Sequence, residues 1–111
     1  MKKNNQIYLK QIRDYIGDIE KHIKGFDYEK FKKDIKTQDA VLRKIELIGE
    51  IAKRLSVGFW EQYRNSLPLA DAVATRNRLI HDYGDVDLKI VWNTVKLDLP
   101  KLKESISNMI G

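Results

Sequence analysis

The chain has 111 residues, of which 42% are hydrophobic and 33% are charged, a balance typical of a folded domain rather than a disordered segment. It contains no cysteine, which excludes disulfide bonds, a thiol nucleophile and cysteine-ligated zinc. The formal net charge of +5 suits a polyanionic partner such as RNA, although a basic surface that only keeps the protein soluble is the simpler explanation of charge alone.

The amino terminus does not have the pattern of an exported or membrane-bound protein. Basic residues at positions 2 and 3 are followed by Asn4, Asn5 and Gln6, where a signal peptide would be apolar. No apolar run approaches the roughly 18 residues needed to span a bilayer. We therefore expect a single domain over residues 1–111 that works in the cytoplasm without a membrane partner.

The first helix is predicted from a narrow apolar seam whose members recur at intervals of three and four residues: Leu9, Ile12, Ile16, Ile19 and Ile23. Gly25 is expected to end this part of the chain. Asp27 is expected to cap a short second helix that carries Tyr28 and Phe31.

The next long helix is expected to open at Thr37 and to form the centre of the core. About half of its circumference is apolar, from Val41 to Leu55. Gly49 lies inside that apolar arc, where a missing side chain lets a neighbouring backbone come close. Lys53 lies near the opposite, polar side.

Beyond a short aromatic segment, a further helix is expected to start at Leu67-Pro68 and to run to about His81, with Gly84 as its terminator. The nearby aromatic residues Phe59 and Trp60, like Trp92, are expected in the core rather than as platforms for RNA bases.

The last helix is expected to be capped by Asp85 or Asp87 and to carry an apolar seam from Leu88 to Met109. Pro100 lies inside it and removes one backbone donor, so a kink is predicted there. Every long segment has a helical period and none alternates as a strand does. The sequence therefore predicts an all-α, antiparallel bundle of four main helices with one or two short ones.

One segment, Arg76 to Tyr83, needs more than packing to explain it. On a helical wheel Arg76 lies at the middle of an apolar stripe made by Leu69, Ala72, Val73, Leu79 and Ile80. An unpaired guanidinium in a core costs several kcal/mol. Either Arg76 pairs with a carboxylate such as Glu50, or the stripe opens onto a cleft or a subunit interface.

Arg76 and His81 together suit the cleavage of RNA without a metal ion. The reaction needs a base for the ribose 2′-hydroxyl, and the unperturbed pKa of histidine fits that task. It also needs fixed positive charge for the pentacoordinate phosphorus, which a guanidinium supplies. With two histidines and no cysteine in the chain, metal catalysis has little support, so no metal or other cofactor is expected.

At these residues the sequence resembles the HEPN superfamily, whose signature is arginine, four residues and histidine, often followed by one residue and tyrosine. Here these are Arg76, His81 and Tyr83, and Asn77 fits the polar residue that habitually follows the arginine. The resemblance is closest to the HepT toxins and continues, in the same order, through residues 44–56, 86–92 and 98–100.

The resemblance implies a homodimeric ribonuclease in which two motif helices line one cleft. Arg76 and His81 would be catalytic, and Asn77 would orient or polarise them. Attack of the 2′-hydroxyl would cleave tRNA or mRNA and leave a cyclic phosphate. It also implies a toxin–antitoxin pair, in which a minimal nucleotidyltransferase antitoxin attaches AMP units to Tyr83. Arg78 is a weaker candidate for RNA binding, as is Lys53.

Other interpretations remain open from the residues. The protein could be a non-catalytic HEPN subunit that binds nucleotide or RNA beside a nucleotidyltransferase, or a structural bundle that only dimerises. His81 could be satisfied by a helix dipole, and Tyr83 could cover the end of the bundle. Arg76 and His81 point about 140° apart on one helix. A working site is therefore expected to be completed by the symmetry mate across a dimer cleft.

Overall fold

The computed structural model describes residues 2–63 and 87–110, and within these ranges the chain forms helices and no β-strand. Residues 2–63 form α1 (Lys3–His22), α2 (Tyr28–Lys33), α3 (Ile35–Ala52) and α4 (Val57–Tyr63). Residues 87–110 form α5 (Leu88–Asn93), a π-helical turn (Thr94–Asp98) and α6 (Leu99–Ile110). The all-α fold is confirmed. The helix predicted between Leu67 and Gly84 lies outside the described residues.

The core is built around α1, which packs against α3 and α6. The predicted seam of α1 is confirmed, since Leu9, Ile12 and Ile16 have no exposed surface and Ile19 is 1% exposed. Full burial of such a side chain stabilises the fold by about 1.5–3 kcal/mol. Opposite them lie the buried residues of α3 and α6: Val41, Ile45, Ile48, Leu99, Leu102 and Ile106.

The turn between α1 and α2 forms where the sequence predicts it. Gly25 has a φ angle of +79°, in the left-handed region that strains residues with a side chain. Asp27 then caps α2, with its carboxylate oxygen accepting a hydrogen bond of 2.8 Å from the backbone N–H of Lys30. This short helix buries Phe31 completely, and the ring lies 5.2 Å from that of Trp92 on α5.

The predicted start of α3 at Thr37 is wrong by two residues, because the helix begins at Ile35 and Asp34 is its cap. The Asp34 carboxylate accepts a hydrogen bond of 3.0 Å from the Thr37 N–H, so Thr37 is the donor that the cap satisfies. Apolar periodicity cannot find this start, since Ile35 is 70% exposed and belongs to no buried face. Gln38 also donates to the carbonyls of Phe31 and Lys32, which ties α3 to the end of α2.

Of the two candidate caps for the last helical stretch, Asp87 is the one observed; its carboxylate accepts from the N–H groups of Lys89 at 2.9 Å and Ile90 at 3.4 Å. The predicted seam is also confirmed. Val91, Val95, Leu99, Leu102 and Ile106 are buried, and Leu88 and Met109 pack against them at the two ends.

A widened turn directly precedes Pro100, where the sequence predicts a kink. The Leu99 N–H donates to the carbonyl of Thr94, five residues earlier, as in a π-helix. Thr94 is itself buried, and its hydroxyl donates to the carbonyl of Ile90 at 2.9 Å. Pro100 follows directly and lacks the N–H that would restore regular α-helical bonding.

The aromatic residues expected in the core lie there. Phe59 is 4% exposed and Trp92 is 8% exposed, while Trp60 is half-buried and packs against the core. Among the helices of the described residues, none is both long and apolar enough to cross a membrane.

Candidate functional site

The sequence-predicted site residues are divided between described and undescribed parts of the chain. Arg76, Asn77, Arg78, His81 and Tyr83 lie outside the described residues, and their roles stay predictions. Lys53 is described, together with the helices on either side of residues 64–86, the range that contains the motif segment. We call α4, which ends at Tyr63, the incoming flank and α5, which begins at Leu88, the outgoing flank.

The incoming flank is fixed by the start of α4. Ser56 precedes this helix, and its hydroxyl oxygen accepts a hydrogen bond of 3.2 Å from the Phe59 N–H. The Ser56 carbonyl accepts from the Trp60 N–H at 3.1 Å. Phe59 then anchors the helix in the core, with its ring 4.8 Å from that of Tyr63 in the last turn. The last helix described before residues 64–86 is therefore capped and packed.

Asn5 of α1 holds this cap in place. Its amide nitrogen donates to the Ser56 hydroxyl at 3.0 Å, and its amide oxygen accepts from the Ser56 N–H at 3.1 Å. Asn5 is 5% exposed, so both bonds are largely shielded from water. Sequence reasoning missed this pair. The available signal was that Asn5 stands four residues before Leu9 and so continues the apolar seam of α1 with a polar residue.

The outgoing flank is fixed by α5. Asp87 caps its first turn, and Val91 and Trp92 are buried against the rest of the core. Trp92 lies against Phe31 of α2, which places α5 beside α2. The last described helix before residues 64–86 and the first one after them are therefore both packed against the core.

Lys53 lies at the carboxyl end of α3, three residues before Ser56. Its side chain is exposed, and its backbone N–H donates to the carbonyl of Gly49 at 3.2 Å. Glu50, the suggested carboxylate partner of Arg76, is half-buried in the last turn of the same helix. The end of α3 thus presents an acidic and a basic side chain close in sequence to the incoming flank.

Metal binding has no candidate in the described part of the chain: residues 2–63 and 87–110 contain no group of three His, Asp or Glu side chains able to hold an ion. The prediction of metal-independent chemistry concerns residues beyond these ranges and stays a prediction.

Comparison with known proteins identifies relatives along nearly the whole chain. The chain is 38% identical over 103 residues to a "Probable ribonuclease HepT" of Thermococcus cleftensis, covering 93% of each protein. It is 30% identical to a "Putative RNase" of Caldanaerobacter subterraneus subsp. tengcongensis, covering 97% of this chain and 96% of the relative.

A third relative is longer. The chain is 42% identical to part of a "Gamma-glutamylcyclotransferase and putative RNase" of Methanocaldococcus jannaschii, covering 96% of this chain and 47% of that protein. No solved structure gives a significant match. The profile of the family described as "Ribonuclease HepT-like" matches residues 12–109, a range that contains the whole motif segment. The chain belongs to the HepT-like ribonuclease family.

Proposed function

We propose that the protein is a metal-independent RNA endonuclease and the toxin of a toxin–antitoxin pair. The observation that carries this proposal is the complete motif of Arg76, His81 and Tyr83 inside the range matched by the HepT-like family. Relatives of nearly the same length bear ribonuclease names, which supports an RNA substrate. The net charge of +5 is consistent with binding a polyanion.

The proposed reaction uses the RNA's own hydroxyl as the nucleophile. His81 removes the proton of the ribose 2′-hydroxyl, and the 2′-oxygen forms a bond to the adjacent phosphorus. The bond from phosphorus to the 5′-oxygen of the next nucleotide breaks, and that oxygen takes up a proton. Arg76 stabilises the charge on the pentacoordinate phosphorus, and Asn77 orients or polarises the pair. The products are a 2′,3′-cyclic phosphate and a 5′-hydroxyl.

The site is proposed to require two chains. Arg76 and His81 are five residues apart, so on one helix their side chains diverge by about 140°. Two copies of the motif facing each other across a twofold axis would bring an arginine and a histidine to the same phosphate. Arg78 and Lys53 would add positive charge along the path of the RNA.

Regulation is proposed to act at Tyr83, to which a nucleotidyltransferase antitoxin would transfer AMP. The tyrosine oxygen forms a bond to the α-phosphorus of ATP, and pyrophosphate leaves. The resulting phosphodiester adds negative charge and bulk beside Arg76, where a phosphate of the RNA substrate should bind. Modified protein would therefore bind and cleave RNA poorly.

The test compares two histidine replacements in the full chain. His81→Ala should abolish RNA cleavage and growth inhibition while RNA binding is roughly kept. His22→Ala, an exposed position at the end of α1, is the matched control and should leave both activities unchanged. Cleavage should also survive a metal chelator. If the wild-type chain expressed alone neither cuts RNA nor slows growth, the toxin proposal fails. RNA binding without cleavage would indicate the non-catalytic subunit instead.

A further inference from the structure

Four lysines of α2, α5 and the π-helical turn lie over aromatic rings on one side of the described structure. The ammonium nitrogens lie 4.2 Å (Lys30 over Phe26), 4.4 Å (Lys89 over Tyr28), 5.5 Å (Lys96 over Trp92) and 5.9 Å (Lys32 over Tyr28) from the ring centroids. These distances are typical of cation–π contacts. We call these seven residues the lysine–aromatic surface.

The surface is continuous across two helices. The rings of Tyr28 and Trp92 lie 6.4 Å apart, which joins the part on α2 to the part on α5. All four lysine side chains are exposed, and the rings of Phe26 and Tyr28 are half-buried, so both kinds of group remain accessible to a ligand. Trp92 is 8% exposed and serves as the floor on the core side.

The four lysines of this surface form no ion pair within the part of the chain that the structure describes. Elsewhere in the same structure, Lys44 pairs with Asp18 at 3.1 Å. Three of the acids near the surface in sequence, Asp27, Asp34 and Asp87, accept backbone N–H groups as helix caps. Glu29 and Asp98 form no salt bridge within the described residues.

A groove of about 200 Å³ adjoins the surface and shares Phe26 and Lys96 with it. Lys24 also lines this groove, together with apolar atoms of Ile23, Val95 and Pro100. Glu20 contributes the carboxylate of the lining, and this carboxylate accepts a hydrogen bond of 2.7 Å from the Lys103 ammonium group. The groove is smaller than the pockets that take drug-sized ligands, and its lysines and aromatic ring suit a single planar base beside a phosphate.

We propose that the lysine–aromatic surface and its groove bind single-stranded RNA, as a second contact with the substrate in addition to the one at the motif segment. The inference rests on the proposed function, in which RNA is the substrate. None of its residues belongs to the motif segment. Long, exposed lysine side chains can leave the rings for phosphates, while the faces of Phe26 and Tyr28 take bases. Accessible rings between lysines that have no salt bridge among the described residues favour RNA over an acidic protein segment, which would leave the rings unused.

The test measures binding of a labelled 2′-O-methyl oligouridine of about 12 nucleotides, which cannot be cleaved by 2′-hydroxyl attack. The triple variant Lys30→Gln, Lys89→Gln and Lys96→Gln should bind about tenfold or more weakly than wild type at moderate salt. Its slope of log K against log salt should fall by about 2, as expected for three lost phosphate contacts to a single strand.

The matched charge control replaces three exposed lysines on α1 and α6 by glutamine: Lys3, Lys10 and Lys101. It removes the same charge and should weaken binding by less than about threefold. For the aromatic contribution, Tyr28→Leu should weaken binding about tenfold, whereas the half-buried Tyr8→Leu should not. The proposal would be overturned if the variants of the lysine–aromatic surface and their controls lost the same amount of RNA affinity, or if the wild type did not bind the oligouridine.

Two further measurements separate this surface from the catalytic proposal and from another partner. If the wild type cleaves unmodified RNA but the triple variant binds the oligouridine as tightly as the wild type does, the proposed RNA-binding surface is refuted and the ribonuclease proposal stands. If binding depends on the lysine–aromatic surface but no RNA is cleaved, the surface is supported and the ribonuclease proposal is refuted. Polyglutamate is the competitor: if it displaces the oligouridine as well as unlabelled oligouridine does, the surface is for acidic proteins and the RNA proposal fails.

Discussion

Asn5 and Ser56 form a reciprocal pair of hydrogen bonds across 51 residues of sequence, with donor–acceptor distances of 3.0 and 3.1 Å. The pair joins the start of α1 to the start of α4, the helix that leads into the motif segment. Ser56 uses the same hydroxyl to accept from the Phe59 N–H, so one serine both caps α4 and attaches it to α1. The pair therefore fixes the position of the start of α4, the last helix described before residues 64–86.

Replacing Asn5 by alanine should lower the free energy of unfolding by about 1–3 kcal/mol, because it leaves the part-buried Ser56 N–H without its acceptor. Chemical denaturation monitored by circular dichroism measures this change. Asn4→Ala, at an exposed position one residue earlier in α1, is the control and should change stability by about 0.5 kcal/mol or less.

A double-mutant cycle tests whether the two residues act as a pair. Ser56→Ala alone should also destabilise the protein, since it removes the cap of α4 and the partner of Asn5. The double variant should then be less destabilised than the sum of the single effects, by about 0.5 kcal/mol or more. Strict additivity would show that the two hydrogen bonds do not couple energetically.

Phe31 should be among the most sensitive core positions, although it lies in a helix of six residues. An isolated helix of this length is not stable in water, so packing of the Phe31 ring against Trp92 must hold α2 in place. Phe31→Ala should cost about 3–5 kcal/mol, measured by denaturant unfolding. Ile35→Ala, at a residue 70% exposed, is the control; a comparable loss there would contradict the argument.

The fold was predictable where a periodic pattern coincides with burial. The seams of α1 and of the last helical stretch appear in the sequence because each member returns to the same side of a helix. Asp27 and Gly25 were predictable because capping and left-handed backbone each favour a short list of residue types. Ile35 shows the limit: it is helical but exposed, so only the position of Asp34 reveals that α3 has begun.

Contacts between distant segments were not predictable in the same way. The Asn5–Ser56 pair depends on how α1 and α4 meet, and the lysine–aromatic surface depends on how α2 and α5 meet. Neither of these contacts between helices follows from a local sequence pattern. For the candidate site, the wheel position of Arg76 indicates either a buried ion pair or a cleft or interface, whereas its assignment to RNA chemistry comes from the motif it shares with the HepT-like family.

Acid should weaken the start of α3 through Asp34. Hydrogen bonds from the Thr37 backbone N–H, then from its side chain, and the charges of Lys30 and Lys36 lower the pKa of Asp34 from its usual 3.8. A carboxyl with a depressed folded-state pKa stabilises the protein fully above its unfolded-state value. That stabilisation is lost as the pH falls through the lower, folded-state value.

Thermal unfolding at a series of acidic pH values measures this component. Asp34→Asn keeps a capping oxygen but cannot titrate, so its melting temperature should fall less steeply with acid than that of wild type. Asp39→Asn, an exposed position on the same helix, should keep the wild-type profile over this range. Identical acid profiles for wild type and Asp34→Asn would show that this cap does not contribute.

Replacing Arg76 by lysine should separate charge from geometry in the proposed reaction. Lysine keeps the positive charge but loses the planar pair of donors that matches two phosphate oxygens. We expect kcat to fall about a hundredfold or more with a much smaller change in KM, measured on a short RNA substrate.

The folding free energy should be nearly unchanged for Arg76→Ala. A large loss of stability in that variant would favour a buried ion pair with a structural role.

Tyr83→Phe should uncouple toxicity from its proposed control. Phenylalanine lacks the hydroxyl that would accept AMP, so the variant should still cleave RNA but should no longer be neutralised by a nucleotidyltransferase antitoxin supplied with ATP. Intact-protein mass spectrometry should find AMP on the wild type after incubation with antitoxin and ATP, and none on the variant. Tyr8→Phe, on α1, is the matched control and should be modified and neutralised as the wild type is. If Tyr83→Phe remains neutralised, the antitoxin acts by binding alone, because no phosphodiester can then stand beside Arg76 to repel the RNA phosphate.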